Sequence, residues 1–336
     1  MKIAIVSDAW YPQINGVVTT LDKTMQSLEQ RGHKVLCVHP GLFSLLIPCP
    51  TYPQIKLALF PGKRFAQTID QFSPDCIHVV TEGPLGLACR RYCKKRNLAF
   101  TTSFTSRFDQ YVHLRFKIPS TWIFRLMYWF HHISSCTMVS TVKLKQELES
   151  CGFSRVGLWP RGVDTKLFRP RNKEYLKDER PIFMYMGRIA AEKNIEDFLK
   201  LDLPGTKFAV GDGPDLSKLR KKYPHVRFPG AKTGDTLAKY LAAADVFAFP
   251  SRTDTFGLVM LEALACGVPV AAYPVRGPLD VIQPGETGYL DENLKKAVLN
   301  ALSLSSQACR RYAAGCSWEN ATDRFLDNLV CCRDCT

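Results

Sequence analysis

Two acids stand eight positions apart in Ser-Arg-Thr-Asp-Thr-Phe-Gly-Leu-Val-Met-Leu-Glu-Ala-Leu-Ala-Cys-Gly, residues 251–267: Asp254 and Glu262. The stretch from Gly257 to Cys266 reads as a helix that is apolar all round, with Gly267 at the usual stop and Pro269 beyond it. Glu262 is the one residue that breaks this pattern, and a carboxylate among Leu258, Val259, Met260, Leu261, Leu264 and Ala265 is costly to bury unless something bonds it. The free amides at the helix start, from Phe256 to Val259, form an anion site. Two carboxylates beside an anion site suit a sugar nucleotide, with its diphosphate on the amides and its hydroxyls on the acids. The plainer alternative is a capping Asp and a stray Glu.

Two cations carry the complementary chemistry. Arg188 and Lys193 lie just past a predicted strand in Gly-Arg-Ile-Ala-Ala-Glu-Lys-Asn. Beside the helix start they would neutralise a diphosphate and the charge that grows on it as a glycosidic bond breaks. A first helical turn disfavours cations, so a structural reason for both is harder to find. Pairing of Lys193 with Glu192 or Glu196 is the alternative.

The elements that must hold these groups alternate between strand and helix. Lys2–Ser7 is a buried parallel strand, followed by Pro12, Asn15 and Gly16 and a helix from Val17 to Gly32. Strand, glycine turn and helix start make a phosphate or sugar loop, or an ordinary connection. Further strands are expected at 34–39, 75–80 and 99–104. The second follows the same plan with Thr81-Glu82-Gly83, and the third runs into Thr105, Ser106 and Arg107. Residues 158–170 read as a linker. Beyond it, strands at 182–186, 208–210, 226–228, 245–249 and 268–272 each end in a loop bearing glycine or proline, and a last helix from Trp318 to Val330 is placed to cross back to the first domain. The expected class is α/β with doubly wound sheets. Gly211-Asp212-Gly213 lacks the third glycine of a dinucleotide fingerprint, and no Walker loop occurs, which argues against nicotinamide, flavin and P-loop chemistry.

At 336 residues, with 46% hydrophobic and 23% charged content, the chain has room for two globular cores. The N-terminal apolar run is too short for a signal peptide and no stretch reaches a membrane span. Thirteen scattered cysteines fit a reducing, cytoplasmic compartment, with Cys331, Cys332 and Cys335 in a frayed tail. The net charge of +14 is concentrated in residues 1–165, with 20 Lys and Arg against 10 Asp and Glu. That imbalance points to an anionic partner, and without a nucleic-acid-binding signature it favours an anionic membrane surface over nucleic acid. Residues 110–135 interleave Tyr111, Phe116, Trp122, Phe124, Tyr128, Trp129 and Phe130 with Arg115, Lys117 and Arg125. They read either as a membrane-interface segment or as an amphipathic core helix after Pro119. Arg90, Arg91, Lys94, Lys95 and Arg96 form a second basic cluster, ordinarily a solvated face.

The motifs at 187–194 and 251–270, with Trp-Pro-Arg-Gly-Val-Asp-Thr-Lys-Leu-Phe-Arg-Pro at 159–170, resemble the retaining GT-B glycosyltransferases of family 4, group 1. Within it the chain is similar to GDP-mannose-dependent α-mannosyltransferases and sulfoquinovosyl-diacylglycerol-synthase-like enzymes. The resemblance covers essentially the whole chain. It implies two Rossmann-like domains facing across a cleft: an acceptor-binding domain at 1–165, a nucleotide-sugar-binding domain at 166–317 and a returning helix at 318–336. It implies a hexose, mannose from GDP-mannose, moved with retention to a lipid or glycoconjugate acceptor at the cytoplasmic membrane face, with no cofactor or metal. Asp254 and Glu262 become the family's acid pair, bonding sugar hydroxyls and ribose. Arg188 and Lys193 hold the diphosphate, while Thr255, Phe256, Gly257, Leu258 and Val259 bring amides to sugar and phosphate. Gly16, Gly187, Asp212, Gly213, Gly230 and Lys232 line the donor pocket. One residue departs from the pattern: Thr105 stands where relatives keep a histidine against the donor sugar. A hydroxyl still hydrogen-bonds a sugar but carries no proton or charge near neutral pH. The departure leaves open a catalytically impaired sugar-nucleotide-binding homologue, or substitution by His113.

Overall fold

The computed structural model describes residues 1–13, 15–49, 52–105, 119–254 and 256–332. The chain divides into two compact units, residues 1–161 with 318–336, and residues 162–317.

The first unit is built on β1 (Lys2–Val6), α1 (Gly16–Gln30), β2 (Lys34–Val38), the hairpin β3 (Leu46–Cys49) and β4 (Tyr52–Ala58), α2 (Gly62–Phe72), β5 (Cys76–Val79), α3 (Pro84–Arg96), β6 (Thr101–Ser103), α4 (Ser120–His131), β7 (Cys136–Val139), α5 (Val142–Ser150) and β8 (Val156–Leu158). Its main sheet runs β2-β1-β5-β6-β7-β8, with every pair parallel. Ile3, Ala4, Ile5 and Val6 are fully buried, as a strand covered by helices on both faces must be. The order reverses between β1 and β5, and the crevice at such a switch point is where open α/β sheets bind ligands.

The second unit carries β9 (Ile182–Met186), α6 (Ile195–Leu199), β10 (Thr206–Val210), α7 (Leu216–Lys222), β11 (Arg227–Gly230), α8 (Gly234–Ala243), β12 (Val246–Phe249), α9 (Leu258–Ala265), β13 (Val270–Ala272), α10 (Arg276–Val281), β14 (Gly288–Leu290), α11 (Leu294–Ala301) and α12 (Ser306–Ala314). The sheet order β11-β10-β9-β12-β13-β14, again parallel, is that of a dinucleotide-binding fold, with its switch point between β9 and β12.

The last helix, α13 (Trp318–Asn328), belongs to the first unit. Phe325 is fully buried there, its ring 4.8 Å from Trp159 and 4.9 Å from His78. Asn328 donates to the carbonyl of Leu158 at 2.8 Å, and Arg31 binds Asp323 at 2.5 Å.

Several expectations need correction. Residues 158–170 are not a free linker: Leu158 ends β8, Trp159 is buried in the first core, and Val163 and Phe168 are buried in the second. The first unit therefore closes at Arg161, not at 165. The basic cluster on α3 is not one solvated face. Arg90 is buried, donating to the carbonyls of Phe130 at 3.1 Å and Trp129 at 2.9 Å, and Arg96 pairs with Asp70. Nor is the cysteine tail frayed at its start. The amide of Cys332 donates to Asp75 at 2.7 Å, and its carbonyl accepts from Ala99 at 3.1 Å. Cys335 lies outside the described residues.

Candidate active site

The site grows from the carboxyl ends of β9, β10, β11 and β12. Backbone contacts set the first three loops side by side. The amide of Ile189 donates to the carbonyl of Asp212 at 2.8 Å, that of Asp215 to Ile189 at 3.2 Å, and that of Gly211 to Gly230 at 3.2 Å. The sequence allows this approach because glycines occupy the crossings. A Cβ on Gly211 would stand 1.9 Å from the carbonyl oxygen of Gly187, and one on Gly213 would stand 2.2 Å from that of Ile189. Gly187, Asp212, Gly213 and Gly230 thus form one cross-braced edge. Lys232 follows it, its ammonium 5.8 Å from the ring centre of Tyr240.

Across the switch point the loop after β12 runs through Asp254 to α9. Lys193 Nζ donates to Asp254 Oδ1 at 2.5 Å, and Thr253 Oγ1 donates to the carbonyl of Glu192 at 3.2 Å. Lys193 therefore does not pair with its sequence neighbours; Glu196 instead binds Lys222 and Tyr223. Arg188 is exposed, and its guanidinium has no hydrogen-bond partner among the described residues. Its backbone is held instead, the carbonyl accepting from Tyr185 Oη at 2.7 Å.

Gly257 precedes α9 with φ of 81°, and an added Cβ would stand 2.9 Å from the Phe249 ring and 2.8 Å from the Met260 methyl. Only glycine meets both demands. No side chain among the described residues caps α9, which leaves the first-turn amides of Leu258 and Val259 as candidate donors to a ligand. The helix spans Leu258–Ala265, one residue shorter at each end than expected. Within it Glu262 is partly buried and has no hydrogen-bond partner among the described residues. Burial alone raises its pKa to about 7.

Gly16 and Thr105 lie in the first unit. Gly16 opens α1, whose amides at Val17 and Val18 are capped by Asn15 at 3.0 Å each. Thr105 follows β6 and is partly buried. Thr255, Ser106, Arg107 and His113 lie outside the described residues.

Sequence reasoning passed over three groups. Ser251, just past the end of β12, is buried, and its Oγ has no partner among the described residues. Gly277 packs so tightly on the Asp254 loop that a Cβ would stand 2.7 Å from the carbonyl oxygen of Asp254. In the first unit, Asp8 is buried at the end of β1, its Oδ2 accepting from Thr81 Oγ1 at 2.9 Å and its Oδ1 from the Leu85 amide at 3.0 Å. Burial lifts its pKa to about 6, against the pull of those donors. The signal for Gly277 was present in Val-Arg-Gly-Pro; the others depend on pairings across the fold.

A family model described as "Glycosyl transferases group 1" matches residues 168–312, and one described as "Glycosyltransferase Family 4" matches residues 14–167. A relative from Mycolicibacterium smegmatis, GDP-mannose-dependent alpha-mannosyltransferase, is 30% identical over 86% of this chain and 84% of its own. The chain belongs to the family 4, group 1 glycosyltransferases. Alpha-monoglucosyldiacylglycerol synthase of Streptococcus pneumoniae is 26% identical over 90% of this chain and 78% of its own. Among solved structures, sucrose-phosphate synthase from Thermosynechococcus elongatus superposes with a TM-score of 0.76 at 22% identity, over 97% of each chain. The fold is that of GT-B glycosyltransferases, and the edge around Lys193 and Asp254 lies where this glycosyltransferase's second sheet reverses its order.

Proposed function

We propose that this glycosyltransferase moves mannose from GDP-mannose, with retention, to a lipid or glycolipid acceptor at the cytoplasmic face of an anionic membrane. The observation that carries the reading is the Lys193–Asp254 bridge across the β9/β12 switch point, with Glu262, which has no hydrogen-bond partner among the described residues, inside the adjoining helix. Arg188 and Lys193 receive the diphosphate. The ammonium that Asp254 holds turns to the phosphates as sugar hydroxyls take over the carboxylate. The open amides of Leu258 and Val259 add to this field, and Glu262 accepts from the ribose. The bond from sugar C1 to the phosphate oxygen breaks. The acceptor oxygen bonds C1 on the same face, and its proton passes to the departing phosphate. Charge on that phosphate is stabilised by fixed cations and amides, so the reading assigns no metal.

The membrane part rests on α4. Its inner face buries Ile123, Met127 and Phe130, while Trp122 is 70% exposed and Leu126 62% exposed. The partly exposed Trp129 ring lies 3.8 Å from the guanidinium of Arg90 on α3, whose Arg91, Lys94 and Lys95 are exposed. Outward rings beside cations suit an anionic headgroup layer. No helix among the described residues is long and apolar enough to cross a membrane. Tyr111, Arg115, Phe116 and Lys117 lie outside the described residues.

The test is purified protein with GDP-mannose and lipid extract, read by GDP release, product anomer and vesicle flotation. Turnover unaffected by chelation, with an α-linked product, is the expected result. Absence of both transfer and donor hydrolysis overturns it. Thr105 favours a second reading, a donor-binding homologue with impaired turnover. That reading expects calorimetric binding of GDP-mannose without turnover, and a gain of activity in Thr105→His.

A further inference from the structure

The switch point of the first sheet holds two carboxyl groups of opposite circumstance. Asp8, at the end of β1, is buried and its oxygens are occupied by Thr81 and Leu85. Glu82, past the end of β5, keeps a side chain 25% exposed. Its one partner among the described residues is His131, whose Nε2 lies 3.1 Å from Glu82 Oε1. The imidazole is completely buried on α4, and its Nδ1 lies 2.9 Å from Thr102 Oγ1 on β6. Thr102 in turn meets Ser134 at 3.1 Å and Thr137 at 3.2 Å. A nitrogen facing a carboxylate carries the hydrogen, so the imidazole donates to Glu82 and fixes it from behind. Glu82 Oε2 has no hydrogen-bond partner among the described residues, and its loop stands at the switch point where α/β sheets take ligands.

We propose that Glu82 binds a hydroxyl of the acceptor, a glycosyl or polyol headgroup, and that His131 is its positioning residue. This rests on the glycosyltransfer reading for its use in catalysis. The chemistry of the edge selects the ligand class. Two acids side by side repel a diphosphate, as the Glu82 charge already disfavours ionisation of Asp8. Neutral hydroxyls that donate to a carboxylate are what such an edge accepts. The segment is tied to Asp8 through Thr81 and Leu85, and Gly83 passes so close over that side chain that a Cβ would stand 2.5 Å from its carboxyl carbon.

The experiment uses the full chain and octyl α-D-glucoside, below its micelle concentration, as the headgroup probe. Saturation-transfer NMR reads its binding without any turnover, and calorimetry reads GDP-mannose separately. Glu82→Ala is expected to weaken glucoside binding about ten- to a hundredfold, Glu82→Gln less, with GDP-mannose affinity as in the wild type. With GDP-mannose and the glucoside as substrates, His131→Ala is expected to raise the glucoside KM and spare kcat at saturation. His131→Gln, whose amide still donates to Glu82, restores the KM. A wild type without glucoside signal, or a folded Glu82→Ala that binds the glucoside normally, overturns the proposal. A His131→Ala that loses melting temperature while its KM stays constant removes the positioning role. Failure of GDP-mannose to bind the wild type strikes the donor reading alone, since the NMR arm still decides on Glu82.

Discussion

The two sheets end in edges that use their acids differently. At the first switch point Asp8 joins β1 to the loop after β5 through Thr81 and Leu85, and its carboxyl is fully engaged within the protein. At the second, backbone hydrogen bonds between glycine-bearing loops do the bracing. The acids there stay available, Asp254 on a partly exposed lysine and Glu262 on nothing among the described residues. An acid at a strand's end is therefore no ligand group by position alone. Its partners decide whether it is structural or chemical.

The largest effect expected from this contrast is catalytic. Lys193→Ala should lower kcat/KM by about a hundredfold or more, the scale for losing one preorganised electrostatic partner of a developing anion, and Glu262→Ala, which removes the acceptor for the ribose hydroxyls, by about ten- to a hundredfold. Near-normal turnover in either would remove the second edge from the chemistry. Asp8 and Asp254 should then separate stability from function. Asp8→Ala leaves buried donors unpaired and should cost about 2 kcal/mol in denaturant unfolding. Asp254→Asn, at a pair roughly a quarter exposed on each side, should cost less than about 1 kcal/mol while abolishing most transfer. Equal losses of stability would erase the distinction between the edges.

A smaller effect is pH-dependent. The Glu262 carboxyl titrates near 7 in the folded chain against 4.5 as its ordinary value. A raised folded pKa adds stability below pH 4.5 that disappears as pH climbs through 7. Glu262→Gln should accordingly raise the melting temperature of donor-free protein at pH 8 and leave it near wild type at pH 4. No difference between these pH values would mean that the carboxyl is already solvated. The least change belongs to the outer face of α4. Trp122→Ser with Leu126→Ser should weaken flotation with anionic vesicles several-fold and leave melting nearly unchanged, because both side chains are already exposed.

Much of the second edge was legible in the chain. Glycines at 187, 211 and 213 stood in the loops expected at strand ends, and Glu262 stood out because a charge in an apolar helix has few explanations, while the close backbone approaches that require those glycines did not show. The Lys193–Asp254 bridge did not show, since its partners lie 61 positions apart and meet only because β9 and β12 are neighbours. The first edge was harder to see. Asp8 and Thr81 are 73 positions apart, Glu82 and His131 49 apart, and local periodicity carries no trace of such pairings. The β3–β4 hairpin was missed because Pro48 and Pro53 argue against strands, yet prolines are tolerated in a two-stranded ribbon that has edges on both sides. Strands β8 and β14, three residues each, are too short for any alternation to register.

The chain enters the second unit at Gly162 and leaves it at Ser317, and these two crossings run side by side. The amide of Val163 donates to the carbonyl of Cys316 at 2.9 Å, and Val163 pairs with Ser317 as a parallel bridge. Topologically the second unit is a cassette inserted into a single loop of its host, with both ends at one doorway. Such a cassette can be lifted out as residues 162–317, and the host closed by a short peptide from Arg161 to Trp318, without drawing a strand from either sheet. Shuffling of whole cassettes between hosts is then open to evolution and to the bench alike, with one host served in turn by different cassettes.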